Sequence, residues 1–220
     1  MPVQPPSFWE YLSANHAHLL ELTQQHLLIT VISLGIGTVL GISFGILGYL
    51  QPRLRGLILG TAGLLLTVPS LALYALLVGL LGLGAVPVVV ALTLYSLLPI
   101  VRNTITGLAG VDPAITEAAQ GQGMGPSRRL LIIQLPLAWP VIVTGVRVSA
   151  VIVVGIAALG AIVNGPGLGE VILEGMRRVG SPVALNMALA GTFGVVLLGV
   201  LLDISFIVVG RITTPRGIRD

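Results

Sequence analysis

The chain has 220 residues, of which 55% are hydrophobic and 9% charged, with a net charge of +3 and a mean hydropathy of +1.04. Soluble domains carry roughly 25% charged residues, so the composition excludes a soluble globular protein and leaves no stretch polar enough for a separate soluble domain. All 11 basic residues are arginine and cysteine is absent, which excludes a Walker A loop, a disulfide framework, a thiolate metal site and a cysteine nucleophile.

Residues 1–25 hold Pro2, Pro5 and Pro6, then Phe8-Trp9-Glu10-Tyr11. No basic n-region precedes the apolar residues, so a signal peptide is not expected. The aromatics with Leu12, Leu19, Leu20 and Leu22 predict a short amphipathic segment at the membrane interface. His16, His18 and His26 are the only histidines. No carboxylates cluster beside them, and no metal site is expected.

A spanning helix needs about 20 largely apolar residues. Five stretches qualify: 26–49, 57–82, 86–108, 137–162 and 184–209. The expected fold is therefore an all-α polytopic membrane protein. Its transmembrane unit covers 26–210, with a tail at 211–220 and a polar insert at about 112–136 between the third and fourth spans. The repeat Gly37-x3-Gly41-x3-Gly45 lines up small residues on one face of the first span, where another helix can approach closely. Pro69 and the adjacent Ser70 lie inside the second span, and the proline ring breaks the hydrogen-bond ladder there.

The arginines orient the bundle. Arg53 and Arg55 follow span one, Arg128 and Arg129 lie between spans three and four, and Arg211, Arg216 and Arg219 follow span five. With five spans these groups share one side. The opposite loops carry only Arg177 and Arg178, offset by Glu170 and Glu174. The positive-inside rule makes the N-terminus external and the C-terminus and insert cytoplasmic. The same scatter, with no dense basic stripe, argues against nucleic acid.

Within the insert, Asp112 can cap a helix that Pro113 opens and that runs to about Gln120. Gly121, Gly123 and Gly125 end it, and Pro126 can open a second short helix leading into span four. The pieces predict a bent lever rather than a floppy loop.

From Glu117 to Pro136 the insert reads E-A-A-Q-G-Q-G-M-G-P-S-R-R-L-L-I-I-Q-L-P. This resembles the E-A-A-x3-G-x9-I-x-L-P signature of bacterial ABC-importer permeases, with Glu117, Ala118, Ala119, Gly123, Ile133, Leu135 and Pro136 at the motif positions. Thr67 to Leu73, Leu94 to Thr104, Gly145-Val146-Arg147 and Gly165 to Gly169 are similar to the permeases for glycine betaine, carnitine and choline, the osmoprotectant uptake group. The likeness covers roughly residues 26–210. It implies that the seven motif residues couple to a groove in a partner ATPase, which binds ATP and Mg, so that this chain has no cofactor and catalyses no reaction of its own. It further implies a second permease chain, identical or paralogous, a separate extracytoplasmic solute-binding protein, and a place for this chain in the bacterial inner membrane. Selectivity in such an importer sits largely in the binding protein, so the permease sequence does not name the solute.

Three further groups are candidates. Gly165, Gly167 and Gly169 would lie on the outer side, as an external gate, a binding-protein contact or a simple turn. Tyr74 and Tyr95 near the Pro69-Ser70 break either line the solute path, since aromatic faces attract quaternary ammonium groups, or pack the bundle. Asp203 on span five is expected to pair with Arg147 or Arg102, unless the arginines snorkel to the interface. Two other classes remain open. An ATP-independent carrier would show mirrored broken helices, and only Pro69 breaks a span without an evident partner. An intramembrane hydrolase would need a base, and spans two to five contain no histidine.

Overall fold

The computed structural model describes residues 6–213. The tail arginines Arg216 and Arg219 lie outside the described residues. Among those described, every regular element is helical: α1 (Phe8–Leu50), α2 (Pro52–Thr67), α3 (Ser70–Leu81), α4 (Ala85–Ala109), α5 (Pro113–Gly121), α6 (Pro126–Arg129), α7 (Leu135–Ala157), α8 (Gly169–Arg177) and α9 (Ala184–Thr213). A π-turn at Leu130–Gln134 joins α6 to α7, and a 3-10 turn at Ala158–Val163 follows α7. Four helical segments are long and apolar enough to cross a membrane, and the bent pair α2–α3 makes a fifth if it counts as one span.

Residues 8–25 of the interfacial segment expected at 1–25 lie in the same helix as the first span. Helix α1 runs unbroken through position 25 for 43 residues. Its start is a capping box, in which Ser7 Oγ accepts from the Glu10 N–H and Glu10 Oε2 accepts from the Ser7 N–H. Between Ser7 and Gly35 the sequence has neither proline nor glycine, so nothing stops the helix at the polar-to-apolar boundary. Leu22 and partly buried Leu19 pack with Val154, Leu168, Val171 and Leu198, which ties this N-terminal stretch to the bundle.

Helices α4 and α7 form the centre, and α1 lies along α4 at very close range. A Cβ built on Gly37, Gly41 or Gly45 would strike the side chains of Ser96, Ile100 or Thr104. The glycine row thus serves packing within this chain. Apolar side chains gain little from meeting one another in lipid, so close van der Waals contact of this kind supplies much of the attraction. Around it sit Ile29, Leu73, Tyr74, Val88, Leu92, Tyr95 and Val153. Helix α9 is held from one side only and is barely buried along its apolar stretch.

Candidate coupling and gating sites

The insert folds as a lever with defined joints. Asp112 Oδ1 accepts from the Ala114 N–H at 2.8 Å, and Pro113 occupies the first turn of the nine-residue α5. Ala119 is the buried face of α5, whereas Glu117 and Ala118 are exposed. Gly123 turns the chain at φ +80°, a conformation natural to glycine. Arg129 Nη1 then donates to Gln120 Oε1 at 2.8 Å, bracing α6 against α5. Ile133 falls in the π-turn, while Leu135 and Pro136 open α7. Buried Gln134, which falls at an unspecified position of the motif, donates through Nε2 to Tyr49 Oη at 2.9 Å. That bond joins the insert to the last turn of α1.

At the second span the chain bends by 98° across Val68–Pro69. Tyr95 Oη donates to the Val68 carbonyl at 2.8 Å, and Tyr74 Oη donates to the Ile156 carbonyl at 3.1 Å. Both rings are almost fully buried, Tyr74 at 1% and Tyr95 at 2% exposure. In this conformation neither presents the open aromatic face that a solute contact requires. A phenol buried this deeply needs an acceptor for its hydroxyl, and backbone carbonyls supply it, so the two tyrosines anchor the region of the break. Pro69 is exposed and Ser70 partly so, and no side chain caps the N-terminus of α3. Free backbone donors at membrane depth are tolerated only where protein or water meets them.

At the other end of α7, residues 164–169 fold back over the 3-10 turn. Asn164 sits at φ +58° and Gly167 at φ +121°. A Cβ on Gly169 would collide with the Ala158 carbonyl, and one on Gly165 would meet Val88 at 2.6 Å. Gly167 lies against His26, with a built Cβ only 2.9 Å from both Cβ and Nδ1 of the imidazole. His26 is fully buried, and its Nε2 lies 3.0 Å from the Val154 carbonyl.

Arg147 on α7 grips Asp203 on α9 with two bonds, Nε to Oδ1 at 2.5 Å and Nη2 to Oδ2 at 2.8 Å. The fork geometry suits guanidinium. Arg102 is exposed on α4 and takes no part. Trp139 Nε1 adds a second tie between these helices, donating to Thr213 Oγ1 at 2.9 Å. No three ligand side chains converge as a metal group among the described residues.

A bundle of spans interrupted by a capped lever, in a chain whose sequence has no lysine for a Walker A loop, fits the membrane subunit of an ABC importer. Residues 37–212 match the family described as "Binding-protein-dependent transport system inner membrane component", and the chain belongs to that family. It is the permease component, not the ATPase. It is 38% identical to the osmoprotectant import permease protein OsmW of Salmonella typhimurium, over 95% of this chain and 98% of that protein. It is 35% identical to the choline transport system permease protein OpuBB of Bacillus subtilis, over 96% and 95% respectively. Among solved structures, the inward-facing MetNI methionine ABC transporter matches with TM-score 0.77 and 21% identity, covering 90% of this chain and 96% of that one. That likeness concerns the fold.

Proposed function

We propose that this permease carries a quaternary-ammonium osmoprotectant of the glycine betaine, choline or carnitine class inward, using ATP hydrolysed by a partner subunit. The observation that carries the coupling half is the insert. A short, capped α5 offers exposed Glu117 and Ala118 beside an Arg129–Gln120 brace, so a push on it reaches α7 through Ile133, Leu135 and Pro136 and α1 through Gln134. The solute class rests on relatives whose names specify osmoprotectants and choline. Two such permease chains, the same or paralogous, would enclose the path, with two ATPases at the cytoplasmic inserts and a binding protein outside. ATP-driven closure of the ATPases biases a two-state bundle at a distance. The arginine distribution supports an external N-terminus and a cytoplasmic insert.

In this reading the uncapped break at Pro69-Ser70 borders the path, Tyr74 and Tyr95 hold it in place, and Gly165, Gly167 and Gly169 form the external gate. The deciding experiment is purification of the assembled complex with its binding protein. Co-purification of an ATPase, and uptake of the betaine, choline or carnitine that the binding protein retains, is the expected result. A complex without an ATPase, or a binding protein that retains none of the three, overturns the corresponding half.

A further inference from the structure

His26 has one nitrogen satisfied and one without any partner. A carbonyl only accepts, so the bond to Val154 places the proton of the neutral ring on Nε2. Nδ1 is then a bare lone pair, buried and without a hydrogen-bond partner. Gly167 packs against this side of the ring: a Cβ at that position would lie 2.9 Å from Nδ1, and its φ of +121° also favours glycine. One turn further along α1, Thr30 Oγ1 is likewise buried without a partner. The glycine segment thus covers His26 at Gly167 without supplying a polar partner to Nδ1.

No charged side chain acts on the imidazole. Of the ionisable groups on the elements packed around it, the nearest along each are Glu21 and the exposed His18 on α1, Arg147 on α7 and Glu170 just past the segment. Glu21 and Glu170 are exposed, and Arg147 is held by Asp203. A second proton, on Nδ1, would find no acceptor while the segment is seated. With the segment lifted, water could accept from it.

We propose that His26 is a positioning residue that latches the glycine segment, seating it while the imidazole is neutral and releasing it when Nδ1 takes a proton. The state that binds the extra proton is favoured by acid, so lowering the pH shifts the bundle toward the lifted segment. The inference rests on reading residues 165–169 as the gate, since only then does lifting the segment change transport.

The test uses the assembled complex in nanodiscs, where a thiol reagent reaches both faces and the parent chain has no cysteine. Leu168 is buried within the segment at 1% exposure, and Ser13 is exposed on α1. Labelling of Leu168→Cys is divided by that of Ser13→Cys to remove the pH dependence of the thiol itself. Between about pH 7.5 and about pH 5.5, where histidine titrates, the ratio should rise on the order of tenfold, since each unit of proton-affinity difference is a factor of ten. His26→Gln retains an amide donor for Val154 but cannot titrate, and its ratio should stay flat. No rise in the His26 protein, or an equal rise in His26→Gln, overturns the proposal. ATP with solute-loaded binding protein separates the two readings. If cycling changes the ratio and pH does not, the gate stands and the latch falls. If pH changes it and cycling does not, the latch stands and the gate reading falls.

Discussion

Asp203 sits ten residues before Thr213, the last residue of α9, which is about 15 Å along a helix. Its carboxylate would be costly in lipid without the Arg147 fork. Asp203→Asn should lower the yield of monodisperse protein and its unfolding temperature, because the guanidinium is left unmatched. Adding Arg147→Met should recover part of the loss. Equal thermal stability of Asp203→Asn and the parent would show the pair to be dispensable. Gly167 supplies a second residue-scale case. Gly167→Ala imposes a disfavoured backbone costing about 1–3 kcal/mol, besides contacts under 3 Å with His26. Uptake should fall strongly while ATPase assembly persists. Unchanged uptake would show that the segment need not seat as described.

At the level of elements, the insert follows closely from its residues. Asp112 and Pro113 mark the start of α5, and glycines mark its end, because capping and left-handed turns are local chemistry. The run through residue 25 was not legible, since the apolar period changes there while the backbone has no reason to stop. Nor was the π-turn or the tyrosine anchoring legible. The tyrosine bonds and the Gln134 bond join partners 27 to 85 residues apart, such as Val68 for Tyr95 and Tyr49 for Gln134, which no local pattern records. Gly123 sharpens one expectation. A Cβ there meets nothing within 4 Å, so bulk is not the obstacle. The positive φ is, at about 1–2 kcal/mol for an ordinary residue. Gly123→Asp should reorient α5 and weaken ATPase docking, with Gly123→Asn milder because asparagine tolerates such turns. Co-purified ATPase per permease reads this out, and parity between Asp and Gly would count against it. Gln134→Leu and Tyr49→Phe should each leave assembly intact while lowering solute moved per ATP hydrolysed. The double variant should be no worse than either single one if the bond is the shared cause, whereas additive losses would assign the residues separate roles.

For the whole molecule, orientation is the property that every functional assignment shares. Single cysteines at Ser13 and at exposed Ser127 in the insert can be labelled with an impermeant reagent on intact cells. Position 13 should react, and position 127 only after permeabilisation. The reverse pattern would invert the bundle and place α5 away from any cytoplasmic ATPase.

Helix α1 touches both functional ends. Tyr49 meets Gln134 of the insert, and His26 meets Gly167 of the glycine segment. The 23 residue steps from His26 to Tyr49 span about 35 Å of continuous helix, with no proline and no break. A rod without a joint cannot lag at one end. In the proposed cycle, displacement of the inner end is delivered to the outer end in the same motion, as tilt or rotation against α4. The arrangement with both ends relaxed at once would require the rod to bend. The expected dividend is tightness: little solute slips back through a path open on both sides, and little ATP is spent without cargo. A proline placed midway along α1 would introduce the missing joint, and its signature would be leak rather than loss of binding.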